Sequence, residues 1–372
     1  MIKKNSIKWC VSCVVPSTRP NIEINSKGIC NACESSLKKK YYINWKKRKK
    51  EFLIITKKIK RKKSNYDCII PVSGGKDSTW QVLTALNYGL KPLCVTWRTP
   101  VRTKVGKDNL QNLINLGADH FDVSINPKVE KKFSLKTFKK LGSPAIPMHM
   151  ALHAIPVNLA IKFKIPLVLW GENSAFEYGG NNLKLKGSKM NNIWRKKYGN
   201  YNNLNLKKWS DKKLKLKDLS IYSVPNNQQI KKAGVQELFL GHFFNWDPIK
   251  IYKTVKKYNF KSLKKAKIGL YKFADIDDDF IISIHHWLKW YKFGFTRLFD
   301  NLSIEIRNGR ISRKNAIKIL KIQTKPPIKE IKGFCKYVKI TENQFYKIAE
   351  KFRNKKIWKK IDGKWVIKNF LF

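Results

Sequence analysis

Residues 66–80, YDCIIPVSGGKDSTW, carry an apolar run into two glycines and then Lys76, Asp77 and Ser78. The run reads as a short buried strand, and DSTWQVLTALNYGL, ending near Gly89, reads as a helix. A strand, a glycine turn and a helix in immediate succession aim backbone N–H groups and a helix N-terminus at an anion. Gly74 and Gly75 are expected to let the backbone approach phosphates with no Cβ in the way. Lys76 would supply a point charge, and Ser73 and Ser78 hydroxyl donors. Asp77, itself an anion, fits a Mg²⁺ ligand or a helix cap better than a phosphate contact. The stretch is not a Walker A motif, which needs glycine where Ile70 stands, nor is it a G-x-G-x-x-G fingerprint.

Outward from this loop, strand-like PLCVTW, HFDVSI and IPLVLWGEN alternate with helix-like KDNLQNLINLG, closed by Gly117, and MALHAIPVNLAIKFK, which carries a proline kink. Such alternation predicts βαβ units and a parallel sheet, hence an α/β class, with the core over about residues 64 to 180. The expected organisation is a zinc ribbon over 1–40 and a basic helical linker over 41–63. A nucleotide-binding domain follows over 64–235, with an irregular insertion from 181, and a mostly helical substrate region covers 236–372, helical from VQELFLGHFFNWDPIK onward.

Cys10 and Cys13 form one C-x2-C and Cys30 and Cys33 another, the spacing of a zinc ribbon in which four thiolates complete a tetrahedron around structural Zn²⁺. Gly28 fits the tight turn before the second knuckle. Two disulfides are the rival reading, disfavoured in a reducing compartment. Cys68, Cys94 and Cys335 read as buried or isolated, without the signature of a nucleophile.

With 372 residues, 42% of them hydrophobic and 12% aromatic, the chain can build a large core. No apolar run reaches the roughly 18 residues of a membrane span. The basic start MIKKNSIKWC is followed by too short an apolar segment for a signal peptide, so a soluble, cytoplasmic protein is expected. The formal charge is +54, but only eleven of the 79 basic residues are Arg. Lys spread along the whole chain fits a solvated, composition-biased surface better than a nucleic-acid face, and its field favours anionic substrates.

WGEN ends a strand at the edge where ligands bind in open α/β sheets, so Gly171, Glu172 and Asn173 are expected to face the nucleotide or the reacting group. A turn with a helix cap is the alternative there. Glu177 and Tyr178 are weaker candidates. Thr96 and Trp97 are positioned to flank adenine, unless Trp97 is core. His149 and His153, four apart, would share a helix face and hold substrate or a metal, or simply pack. ADIDDDF lacks the glycine of a calcium loop. Asp275, Asp277, Asp278, His285 and His286 are expected to line a substrate pocket or bind Mg²⁺, or to cap the next helix, and Arg297, Arg307 and Arg310 to hold an anionic sugar or its nucleotide.

SGGKDS resembles the PP-loop of the ATP pyrophosphatases, which cleave ATP between the α- and β-phosphates. CVSC…GICNAC, VSGGKDSTWQV, KVGKDNLQNLINLGADH, WGENSAFEYGG, ADIDDDFIISIHHWLKWYKFGF and IEIRNGRISRKNAI, in this order over roughly residues 8 to 320, resemble the N-acetyl sugar amidotransferases of surface polysaccharide and flagellin glycan synthesis. The resemblance implies ATP, Mg²⁺ and an acetamido sugar, free, nucleotide-linked or a nonulosonic acid, as ligands. It also implies a separate glutaminase of the histidine-biosynthesis type as ammonia donor, often with a cyclase-like companion. The competing readings are a tRNA-modifying PP-loop enzyme, thiolase or lysidine synthetase in type, and a non-catalytic zinc-ribbon RNA binder.

Overall fold

β1 (Cys68–Pro71) is the middle strand of a five-stranded parallel sheet of order β3-β2-β1-β4-β5. Its first three residues are apolar and fully buried, as a strand covered on both faces requires. β2 (Pro92–Trp97) and β3 (Asp119–Val123) lie on one side of it, and β4 (Leu167–Trp170) and β5 (Gln236–Phe239) on the other. All pairings are parallel, with Cys68 opposite Pro92 and Leu167 opposite Gln236. The computed structural model describes residues 7–199, 205–322, 326–368 and 370–371; the basic N-terminal hexapeptide and five residues of the 181–235 insertion lie outside these.

Side chains alternate across the sheet. Ile69, Leu93, Val95 and Val168 face α5 (Pro127–Leu141) and α6 (Ile146–Lys162). Cys68, Ile70, Cys94 and Leu169 face the opposite layer, which holds α2 (Trp45–Lys60), α3 (Lys76–Asn87) and α4 (Lys104–Ile114). Before these comes α1 (Asn31–Tyr41), which leaves the second Cys pair.

Three expectations change. The end of the expected ribbon span is itself a helix, α1, which starts between Cys30 and Cys33, while the linker forms the separate helix α2, because the Asn44 side chain accepts from Lys47 N and restarts the chain; Phe52, Thr56 and Ile59 bury the inner face of α2. QELF, expected to be helical, is a strand, because β4 offers it a parallel edge and Leu238 and Phe239 bury against the sheet. The helical C-terminal region ends in an antiparallel hairpin, β6 (Trp358–Ile361) with β7 (Lys364–Ile367). α6 runs as one helix through buried Pro156. Among the described residues no helix is long and apolar enough to cross a membrane.

The chain order places a switch of direction beside β1: β2 follows it on one side and β4 enters on the other. Ligands bind at such a point, outside the carboxyl ends of the strands. The turn after β1 and the WGEN turn after β4 meet there.

Candidate functional site

The turn after β1 hands the chain to α3 with Gly75 as the N-cap. The first N–H groups of α3 have no partner within the helix and carry its positive dipole end. Ser78 donates its hydroxyl to Gly75 O at 2.9 Å, and Thr79 Oγ1 to the same oxygen at 3.0 Å, which locks the turn. Lys76 Nζ sits 2.5 Å from Asp77 Oδ2, over the rings of Trp246 and Phe273. A cavity of about 170 Å³ opens here, lined by Ser73, Gly75, Lys76 and Asp77 and, opposite them, by Asp275, Asp277 and Arg297.

The fold itself constrains two residues of this loop. Gly74, at φ +80°, would aim a Cβ at the α4 backbone, 2.7 Å from Leu110 N, so packing against α4 by itself demands the missing side chain. Ser78 is buried and turned to Gly75, outside the cavity lining.

Glu172, half-buried after β4, is common to this cavity and to two larger ones of about 440 and 420 Å³. Burial, with Asp77 adding repulsion, pushes its carboxyl up to about 7, against the pull of Lys76 and Arg297. A carboxyl poised near neutrality can take a proton from a nucleophile and return it.

The 440 Å³ cavity is walled by His149, His285, His286, Lys289, Tyr178 and Arg297, with Arg19 from the cysteine module. The His149 and His285 rings lie 5.1 Å apart, and Lys289 Nζ is 3.1 Å from His286 Nδ1. Burial holds His149 down to about 4 and Lys289 down to about 7, Asp300 resisting the latter. The 420 Å³ cavity is aromatic: Trp97, Trp170, Trp194 and Phe239 surround it, with His153, Gly171 and Asp277 at its wall. His149 and His153 both line the aromatic cavity, as their shared helix face predicts; His153 lies 5.2 Å from the Trp170 ring, and His149 also reaches the 440 Å³ cavity, beside His285. Asp275 takes a left-handed φ of +53°, and its Oδ2, 3.8 Å from Arg297 Nε, is buried without a hydrogen bond among the described residues. An orphaned carboxylate oxygen facing a phosphate-type turn suits a divalent cation.

Several residues expected at the ligand are held by bonds within the fold. All four bonding positions of Asn173 are used: Oδ1 accepts from Ala175 N and Trp194 Nε1, and Nδ2 donates to Leu185 O and Gly187 O. Thr96 Oγ1 is 2.8 Å from His120 Nε2. Trp97 lines the aromatic cavity but donates to buried Glu130 at 2.8 Å. Glu177 pairs with Lys39 at 2.7 Å, tying α1 to the core. Arg307 donates to Glu177 O, and Arg310 pairs with Asp247 and Glu305. Asp278 accepts from Thr99 and from Ile282 N, capping helix Ile281–Phe293 from a buried position. Lys289, Trp246 and Arg19 also reach these cavities; the available sequence signal for the first is a Lys three residues after His286 on a largely apolar helix.

The sulfurs of Cys10, Cys13, Cys30 and Cys33 lie within 4.8 Å of one another, with Cys10 to Cys33 at 3.9 Å and Cys13 to Cys30 at 3.7 Å. Zn–S bonds of about 2.3 Å in a tetrahedron put sulfurs about 3.8 Å apart, so the cluster fits Zn²⁺. Cys13 N and Cys30 N both donate to Cys10 Sγ, as knuckle backbones do, and Arg313 holds Cys10 O and Cys13 O. With four thiolates, no position is open for catalysis.

The chain is similar to the uncharacterized protein MJ1599 of Methanocaldococcus jannaschii, 35% identical over 119 residues, which make up 31% of this chain and 40% of that protein. The chain thus spans about two fifths of the length of that curated relative. NMN synthetase from Francisella tularensis aligns with 60% of this chain and 99% of its own at 10% identity and a TM-score of 0.26. Residues 251–371, which carry Asp275, His285, His286 and Arg297, match the family described as LPS biosynthesis protein WbpG-like, C-terminal domain.

Proposed function

We propose that this chain is an ATP-dependent, AMP-forming amidotransferase that turns an N-acetyl group on a sugar into an acetamidino group for O-antigen, capsule or flagellin glycan. One observation carries the reading: Glu172 belongs at once to the cavity at the phosphate-type turn and to both larger cavities. The match of residues 251–371 to an LPS-biosynthesis family supports the pathway side of it.

In this reading the N-terminus of α3 and Lys76 bind the phosphates, and the aromatic cavity takes the adenine. The histidine-lined cavity takes the sugar. Asp77, Asp275 and Asp277 would hold Mg²⁺, which supplies charge neutralisation on the phosphates. The amide oxygen attacks the α-phosphorus, pyrophosphate leaves, and ammonia adds to the imidate carbon; AMP departs with the original oxygen. Glu172 takes the proton the nitrogen sheds, and Lys76 and Arg297 offset charge on the phosphates. Zn²⁺ on the four cysteines is structural. Ammonia comes from a separate glutaminase of the histidine-biosynthesis type, with a cyclase-like companion, in the cytoplasm.

The test is incubation with ATP, Mg²⁺, ammonium and a panel of acetamido sugars, followed by mass spectrometry. A sugar whose amide oxygen has become NH, formed together with equal amounts of AMP and pyrophosphate, supports the reading. AMP formation that needs tRNA and ignores every sugar sinks it in favour of a tRNA-modifying enzyme.

A further inference from the structure

The cysteine module does more than fold near the cleft. Its residues Arg19, Pro20 and Asn21 line the 440 Å³ cavity, in a segment that is pinned there. Thr18 Oγ1 donates to Phe293 O at 2.5 Å, and Asn21 Nδ2 to Lys197 O at 3.2 Å. Arg19 reaches furthest in: Nε pairs with buried Asp300 at 2.7 Å, and Nη1 donates to Tyr178 O at 2.9 Å. Those two bonds fix the plane of the guanidinium. Nη2 makes no hydrogen bond among the described residues, and it is not sealed from the cavity that Arg19 lines. A planar fork held along one side offers its remaining N–H groups to an anion at little further entropic cost.

The charge around it asks for such a ligand. Six basic side chains, Arg19, Lys196, Lys197, Lys289, Lys292 and Arg297, line this cavity against three carboxyls, Glu172, Asp275 and Asp300. An excess of cations in a partly desolvated pocket is relieved by a bound anion. The volume suits a sugar with a charged substituent, where the 170 Å³ cavity does not.

We propose that Arg19 is a specificity residue of the sugar site, supplied by the cysteine module, and that it selects acetamido sugars carrying a carboxylate or a phosphate over neutral ones. This rests on the sugar-site reading above. It makes the module a wall of the substrate pocket as well as a structural unit.

The experiment is calorimetric binding, without ATP, to the full zinc-loaded chain. N-acetylneuraminate is the carboxylate probe, UDP-N-acetylglucosamine the phosphate probe, and N-acetylglucosamine the neutral one. At least one anionic probe is expected to bind about ten-fold tighter than the neutral sugar. R19A should lose about ten-fold for that probe and leave ATP affinity unchanged, while R19K keeps part of it. Because R19A strands the buried Asp300 carboxylate, R19A/D300N is measured too, and the same loss is expected. Which anionic probe responds identifies the source of the charge. The proposal is overturned if the neutral sugar binds as well as both anionic ones, if neither anionic probe binds, or if R19A/D300N restores wild-type affinity. These binding results stand whatever the amidotransfer assay returns, so failure of one is separable from failure of the other.

Discussion

The indole N–H of Trp246 donates to Asp77 Oδ1 at 2.9 Å, while the other Asp77 oxygen lies 2.5 Å from Lys76 Nζ. Both carboxylate oxygens of the loop are thus oriented before any ligand arrives, one of them by a residue 169 positions away. W246F keeps an aromatic face under Lys76 and removes the donor. It should lower ATP-dependent AMP formation about ten-fold, a loss of the size of one hydrogen bond to a charged group, with the melting temperature nearly unchanged. Turnover equal to wild type would mean that the orientation of Asp77 does not matter.

Gly74 should tolerate no side chain. In G74A the Cβ lands 2.7 Å from Leu110 N on a residue with φ +80°, and both effects act together. A loss of about 2 kcal/mol in unfolding free energy is expected, with the turn between β1 and α3 displaced. Chemical denaturation of the pure variant measures it.

N173A is expected to act on the fold and not on the chemistry. It strands the Trp194 indole N–H and two carbonyls, at a cost of about 2–3 kcal/mol. ATP affinity, measured where the variant is still folded, should stay within a few-fold of wild type. A selective loss of nucleotide binding at unchanged stability would return Asn173 to the ligand.

Glu172 carries a pH signature in two forms. Its carboxyl, raised to about 7 by burial and Asp77, must be ionised to accept a proton, so turnover should climb through pH 7, and E172Q should be slow and flat. Stability runs the other way. A raised acid stabilises the fold fully below its unfolded value and loses that contribution as pH rises through about 7. Melting curves from pH 5 to 8 should therefore fall more steeply for wild type than for E172Q. Asp278 and Glu130, both pushed to about 7 by burial, leave a residual slope in the variant.

Zinc should be present at one equivalent per chain by elemental analysis. Cys13→Ser should lose it and melt many degrees lower, since binding to a structural zinc site is folding free energy. Retained metal with unchanged melting would rule out the four-thiolate reading of the cluster.

The turn between β1 and α3 was legible because an apolar run, two glycines and a helix start are local signals, and the four-cysteine cluster because ligand spacing is written in the chain. β5 was not. QELF is four residues beside an aromatic run, and it is a strand only because β4 presents an edge to it. At Asn173 the alternative of a helix cap is what the structure shows, but its further partners at Leu185, Gly187 and Trp194 come from an insertion without periodicity. Three aspartates at 275–278 looked alike, yet Asp278 is spent on the cap of helix Ile281–Phe293 while Asp275 faces the cavity with a bare oxygen.

The bond between Arg19 and Asp300 joins residues 281 apart in sequence. On the ribosome the knuckles are made well before their dock, which lies at the junction between helices Ile281–Phe293 and Arg297–Arg307. A metal on the four sulfurs would therefore hold the nascent module in shape until that dock is made, with its apolar underside waiting uncovered. Scarcity of metal during translation should then appear first as insoluble chains, before any deficit in the specific activity of those that finish folding.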